Sequence, residues 1–291
     1  MKNGNLVLEN EERSFIDQGQ NFKFYNIDNL DRCYVKLHEH DFMEIFIYLS
    51  GSLTYVIEQG SFALKEFDIL IVPPHTLHEL IIKDKNVLYK RIVLWIYPQY
   101  IKQLSSSNTD LLKGILEFSK NGNYLIRNPE FTFTIKPYLE KIIKLEEEKK
   151  YGYDLLIENT FRELFIIINE FLEKHNNVIE ATGNPVVLKT INYIENNLTS
   201  SLSLNEIAEH VGLDAFYLSH LFSKEVGTTI HKYVIKKRLS LAKKKLDEGF
   251  NVKEIIHQIG FRDESHFIQT FKKEYKLTPN KYKQLIKKRN D

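Results

Sequence analysis

The sequence predicts an α+β chain: a β-rich amino-terminal domain, a helical connector, and an all-α carboxyl-terminal domain built on two helix-turn-helix modules. Three observations predict it. Short β-branched and aromatic runs separated by turn residues fill residues 20–100. From Pro137 the apolar period changes to that of helices. The last third then repeats itself, LNEIAEHVGLDAFYLSHLFSKE at 204–225 matching VKEIIHQIGFRDESHFIQTFKKE at 252–274. Glu206-Ile207 aligns with Glu254-Ile255, Gly212-Leu213 with Gly260-Phe261, and Leu218/Phe222 with Phe267/Phe271; the offset is 48 residues up to the turn and 49 after it.

The runs CYVKL, EIFIYL, LTYVIEQ, DILIVP and VLYKRIVLWIY read as strands, with Gly51, Gly60, Pro73-Pro74 and Asn86 as turns between them. Strands this short and regular predict an antiparallel sandwich or small barrel over residues 1–135. Residues 136–175 are the helical connector. Tyr138, Ile142 and Leu145 fit one helix, and Leu155, Leu156, Phe161, Leu164, Phe165, Ile168, Phe171 and Leu172 a second, strongly apolar one. That second helix has apolar surface to pack on the β domain and also to form a homodimer interface. Residues 176–185 (NNVIEATGNP) read as a linker, and 186–291 as the helical domain.

Each repeat has a physical rationale. A glycine ends the first helix, where a left-handed backbone costs least. Leu213 or Phe261 plugs the angle, and Asp214 or Asp263 caps the second helix. The inward apolar residues leave Phe216, Ser219 and His220 on one outer face and Glu264, His266 and Gln269 on the other, the faces a major groove meets. Residues 229–248 between the copies form one uninterrupted helix without Gly or Pro. Its length, about 30 Å, is close to the spacing of about 34 Å between successive major grooves on one face of DNA.

Charge follows the same division. The net charge is +1, but from Val186 onward there are 19 Lys+Arg against 12 Asp+Glu, and before it 21 against 27. A basic third beside an acidic remainder fits double-stranded DNA as partner at one end only. A single cysteine, Cys33, excludes an internal disulfide and fits a reducing compartment. The polar start MKNGNLVLENEERS has no signal-peptide core, and no apolar run reaches the about 20 residues that span a bilayer. A cytoplasmic protein without a membrane partner is expected.

In the β domain, His38, His40 and Glu44 lie at even spacing, so one strand would project them to one side, and His78 follows the Pro73-Pro74 turn. These residue types suit a divalent metal. They suit equally well hydrogen bonding to a polyhydroxylated small molecule, and the effector pocket is the favoured reading, without cofactor. Tyr48, Tyr55 and Trp95 are the further candidates to line it.

This segment resembles the cupin family. HEHDFMEIFIYLSG is similar to its first motif through His38, His40, Glu44 and Gly51, and FDILIVPPHTLH to its second through Pro73 and His78. Phe67 and His75 stand where that family usually has glycine, and these departures argue against a metal-dependent enzyme. Residues 186–285 resemble the AraC/XylS family of bacterial transcription regulators. Its second-half signature appears as IGFRDESHFIQTFKKEYKLTPNKYK, with Gly260-Phe261, Ser265, Phe267, Phe271-Lys272, Thr278-Pro279 and Tyr282 in place. Ile256 replaces a usual alanine, Lys276 a common glycine and Lys283 a usual arginine.

The resemblance implies a non-enzymatic, ligand-responsive DNA-binding regulator, with a sugar as effector, homodimerisation, and activation through RNA polymerase. By position in the motif, Phe216, Ser219, His220, Glu264, His266 and Gln269 would meet base edges. Lys224, Arg238, Lys272 and Lys273 would meet phosphates, while Lys243 to Lys245 read as a solvated helix face. Two alternatives remain: a β domain that only dimerises, and a metal-dependent cupin enzyme tethered to DNA.

Overall fold

A computed structural model describes residues 20–28, 35–57, 60–84, 87–120, 122–175 and 184–290. Cys33 and residues 176–183 of the expected linker lie outside the described residues. The β domain consists of two antiparallel sheets. One runs β1 (Phe22–Asp28), β8 (Lys90–Ile96), β3 (Met43–Ser50), β6 (Ile69–Val72), β9 (Leu125–Ile126). The other runs β2 (Val35–His38), β7 (His78–Ile82), β4 (Leu53–Ile57), β5 (Gly60–Ala63). Among the described residues no ladder joins the two sheets, so the barrel is open.

Strand β3 shows why this run reads as continuously apolar. Met43, Ile45 and Ile47 join a core under the helices, whereas Phe46 and Tyr48 face the space between the sheets. A central strand covered on both faces has no solvent side to mark with polar residues. The covering helices are α1 (Pro98–Leu104), α2 (Lys113–Lys120), α3 (Pro129–Glu148) and α4 (Tyr153–Lys174). Helix α3 starts before the period change at Pro137, because Asn128 caps it by accepting from the Phe131 N–H and Pro129 occupies the first turn. Helix α4 buries Ile157, Phe161, Leu164, Phe165, Ile168 and Leu172 and leaves Leu155, Leu156 and Ile166 exposed.

The carboxyl-terminal domain contains α5 (Pro185–Asn196), α6 (Leu204–Val211), α7 (Ala215–Val226), α8 (Ile230–Asp247), α9 (Val252–Ile255), α10 (Glu264–Tyr275) and α11 (Pro279–Asn290). Reciprocal capping boxes open α6 (Ser203 with Glu206) and α9 (Asn251 with Glu254), and Asp214 and Asp263 cap the second helix of each module. Gly212 and Gly260 end the first helices with φ of 77° and 75°. Helix α9 is only one turn and continues as a 3₁₀ turn at Ile256–Gln258. Ile256, in that turn, is buried. Helix α8 serves both modules: Ile230, Tyr233 and Val234 enter the first core, and Leu239, Ala242 and Leu246 the second.

Three positions where glycine was the usual residue keep a glycine-like backbone. Phe67, His75 and Lys276 have φ of 69°, 63° and 61°. The chain therefore preserves the left-handed turns while carrying side chains there, at a cost of about 1–2 kcal/mol each.

Candidate functional site

The histidines converge, but not from one strand. His38 ends β2, His40 lies in the turn that follows, and Glu44 stands in β3 of the opposite sheet. The even spacing holds while the chain crosses between sheets, which periodicity alone does not reveal. His78 opens β7 directly across the ladder from His38. Ring centroids of His38 and His78 are 4.1 Å apart and those of His40 and His78 4.9 Å. One imidazole nitrogen from each of the three lies within 4.8 Å of the others.

Backbone carbonyls set the tautomers. His40 Nδ1 lies 2.8 Å from the Phe42 carbonyl and His78 Nδ1 2.9 Å from that of Thr76. A carbonyl only accepts, so each Nδ1 carries a proton. Both Nε2 atoms are buried and make no hydrogen bond. Burial, reinforced by His40, pushes the His78 imidazole down to about 4, so it is neutral at physiological pH.

Glu44 is already engaged. Tyr55 O–H donates to one oxygen at 2.9 Å and Trp95 Nε1–H to the other at 2.8 Å. Burial alone would raise this carboxyl; His40, His78 and Arg91 outweigh it and hold it well below the usual carboxylate range. Tyr48 is buried elsewhere in the same space, its ring 6.5 Å from that of Tyr89. Arg91, which sequence reasoning missed, is buried there with its guanidinium 5.4 Å from both the Phe46 and Tyr89 rings. Its signal was parity: Arg91 shares a face of β8 with Val93 and Trp95.

The same segments make a second, interdomain set of contacts. Glu39 Oε1 accepts from Lys243 at 3.1 Å and from Tyr275 O–H at 2.7 Å, and Oε2 lies 3.3 Å from His75. His75 Nε2 reaches Asp247 at 3.1 Å, and Tyr282 O–H donates to the other Asp247 oxygen. Burial would neutralise Glu39, but Lys243 and His75 keep it ionised, while Asp247 and Glu39 overcome burial to raise His75 to about 8. Lys236 Nζ donates to the Leu37 carbonyl and Ser240 Oγ to that of His75. Leu37 and Leu77 sit in the core of the first helix-turn-helix module. The solvated face expected at Lys243 is thus corrected: the Lys243 stem lies against the Tyr275 and Tyr282 rings and its ammonium faces Glu39.

In the helical domain, Phe216, His220, Glu264, His266 and Gln269 are exposed, and Ser219 is half-buried. Phe216 is 74% exposed, far beyond what a core role permits, and its ring touches that of His220 at 4.8 Å. Tyr217, 56% exposed beside it, was not singled out by sequence spacing. Lys224, Lys272 and Lys273 are exposed. Arg238 is different: Nε donates to the Leu198 carbonyl and Nη2 to that of Ser200, which ties α8 to the loop before α6 and engages the guanidinium within the protein.

No helix among the described residues is long and apolar enough to cross a membrane. Residues 27–165 match the AraC-like ligand binding domain, and residues 207–285 a helix-turn-helix domain. The chain is 30% identical over 175 residues to the uncharacterized HTH-type transcriptional regulator YtdP of Bacillus subtilis, covering 54% of this chain and 23% of that protein. It is 28% identical over 125 residues to the melibiose operon regulatory protein of Escherichia coli, covering 43% and 41%. The likeness to the HTH-type transcriptional activator RhaS of Mannheimia succiniciproducens is 27% over 245 residues, covering 83% and 87%. The chain spans less than half the length of the first two. With a ligand-binding β domain followed by paired helix-turn-helix modules on one shared helix, the chain belongs to the AraC family of transcription regulators.

Proposed function

We propose that the chain is an effector-responsive, sequence-specific DNA-binding regulator of transcription. The observation that carries this reading is the placement of α8, which holds both helix-turn-helix modules and is gripped by the β domain through Glu39 and Lys243. An effector that favours one arrangement of that grip shifts the equilibrium of the DNA-binding half. In this reading Phe216, Ser219, His220, Glu264, His266 and Gln269 face bases, and Lys224, Lys272 and Lys273 face phosphates.

A carbohydrate effector, activation through RNA polymerase and a cytoplasmic setting are the finer parts of the proposal. Supporting the first, two relatives are named for sugar operons, melibiose and xylose. A homodimer is favoured by the exposed Leu155, Leu156 and Ile166 on α4.

The test selects genomic DNA fragments on the purified protein and footprints those retained. Protection of two successive major grooves on one face of the duplex is expected; equal affinity for selected and random duplexes would overturn the reading. A thermal-shift screen of sugars on the same protein reads the effector, since a ligand of the folded state raises its apparent stability.

A further inference from the structure

We propose that His75 is a proton-operated latch between the β domain and the last turn of α8. Protonated, it ties Asp247 to Glu39; losing its proton releases that end of α8, and with it α11, while the first helix-turn-helix module stays seated. The inference goes beyond the proposed function: it needs only the two domains in contact, and neither an effector nor an operator.

The geometry asks for a cation. His75 Nδ1 lies 3.3 Å from Glu39 Oε2 and Nε2 lies 3.1 Å from Asp247 Oδ2, with the His75 side chain only 12% exposed. Carboxylate oxygens only accept, and a neutral imidazole carries a single N–H. Either neutral tautomer would therefore turn a lone pair on one of the two carboxylates. Asp247 needs the positive charge in its own right, because it is the last residue of α8 and sits at the negative end of that helix's dipole. His75 is also held at φ of 63°, a backbone state that favours glycine, with Ser240 Oγ donating to its carbonyl. Its two ion pairs offset that strain.

The groups around it keep their charges near neutral pH. Glu39 and Asp41 face the cluster from the β domain, Lys243 and Asp247 from α8, Tyr275 from α10 and Tyr282 from α11. Against burial, Lys243 and His75 hold the Glu39 carboxyl well below its ordinary range, and Glu39 and Asp41 raise the Lys243 ammonium. Burial with Glu39 pushes the Tyr275 phenol well up, and burial with Asp41 that of Tyr282. The proton that comes and goes is the one on His75, whose imidazole Asp247 and Glu39 raise to about 8 against burial. Released, the ring returns to an ordinary value of about 6.5. The latch is thus at full strength below about pH 6.5 and is lost as pH rises through about 8, a change of up to about thirtyfold in its equilibrium.

The release is one-sided. Leu37 and Leu77 sit in the core of the first module, and Lys236 Nζ donates to the Leu37 carbonyl at 2.8 Å. These contacts carry no proton that His75 exchanges. Asp247, by contrast, accepts from the Tyr282 hydroxyl of α11 at 3.0 Å, and Tyr282 and Ile286 belong to the core of the second module. When the imidazolium becomes neutral, Glu39 keeps Lys243 and Tyr275, whereas Asp247 loses its cation from the β domain.

The test uses full-length protein. In proton NMR the imidazole signal absent from His75→Gln identifies the His75 ring, which should titrate with a midpoint of about 8 in the parent protein. Asp247→Asn should move that midpoint down toward about 6.5. Hydrogen exchange, corrected for the intrinsic effect of pH on amides, reads the release. Protection in residues 244–248 and 279–284 should fall by about ten- to thirtyfold between about pH 6 and pH 9, with 230–236 unchanged. In His75→Gln the protection of 244–248 and 279–284 should be low and flat across that range. A His75 midpoint at or below about 6.5, or one that Asp247→Asn leaves in place, overturns the charged bridge. Parent protection that ignores pH, or a pH response that survives in His75→Gln, overturns the latch. Loss of protection in 230–236 to the same extent overturns the one-sided release. Sequence-specific DNA binding, present or absent, bears only on the proposed function.

Discussion

Glu39 and Lys243, 204 positions apart, form an ion pair at 3.1 Å with side chains only 4% and 7% exposed. Neither charge has water to fall back on, so each depends on its partners in the protein, and chiefly on the other. Lys243→Ala should cost about 3 kcal/mol, because it removes the main cation beside a buried carboxylate and leaves only His75 and Tyr275 to hold it. Glu39→Gln combined with Lys243→Met should recover most of that loss. Urea unfolding of the three proteins checks this, and a double variant no more stable than the single one would count against the pairing.

The two turn glycines should respond differently to the same change. A Cβ at Gly260 would lie 2.5 Å from the Leu198 carbonyl and 2.7 Å from Arg238 Nε, whereas at Gly212 nothing lies within 4 Å. Gly212→Ala should cost about 1 kcal/mol for its left-handed backbone alone. Gly260→Ala should cost about 2–4 kcal/mol, adding a clash that backbone cannot yield to. Thermal melting of the two variants distinguishes them, and equal losses would contradict the close approach.

Lys276 ends α10 with φ of 61° and its backbone N–H on the Lys272 carbonyl. Lys276→Gly should therefore raise stability by about 1 kcal/mol, while Lys276→Ala should not. A glycine variant no more stable than the alanine one would show that the strain is relieved some other way.

The exposed recognition faces should separate specificity from affinity. His220→Ala or Gln269→Ala should relax preference at particular bases, by about 1–3 kcal/mol at each affected position. Lys272→Ala should weaken binding to all sequences alike and lower the slope of log affinity against log salt by about 1. Binding measured across single-base operator variants at several salt concentrations tests both assignments; a uniform loss for all three variants would overturn them.

Self-association should depend on α4. Leu156→Asp, at a position 46% exposed, removes apolar contact without touching the core. Sedimentation should shift toward monomer while the melting temperature at low concentration stays the same. An unchanged association state would place the dimer contact elsewhere.

Much of the fold was legible because it is written locally. The helix-turn-helix repeats are marked by glycines and capping residues within a few positions of one another, and Gly212, Asp214, Gly260 and Asp263 sit in the expected turns. The linking helix runs Ile230–Asp247 with Thr229 as its cap, close to the expected 229–248. The site was less legible. Even spacing brought His38, His40 and Glu44 to one region but concealed the change of sheet between them. Lys243 looked solvated because a lysine on a helix is ordinarily so, and only a partner two hundred positions away makes it buried. The short α9 was hidden as well: Ile256 fits the helical period, which does not distinguish an α-helix from the 3₁₀ turn found at Ile256–Gln258.

Residues 37–40, at and just past the end of strand β2, present successive side chains to two different interiors. A slip of one residue would exchange the two sets, turning the carboxylate of Glu39 toward the β-domain imidazoles and His38 and His40 into the leucine-lined seat on the helical domain. Both halves of the molecule would lose their complement at once. The number of residues leading into this strand is consequently a quantity that neither half can change alone, and natural variation in chain length should collect in other loops of the β domain.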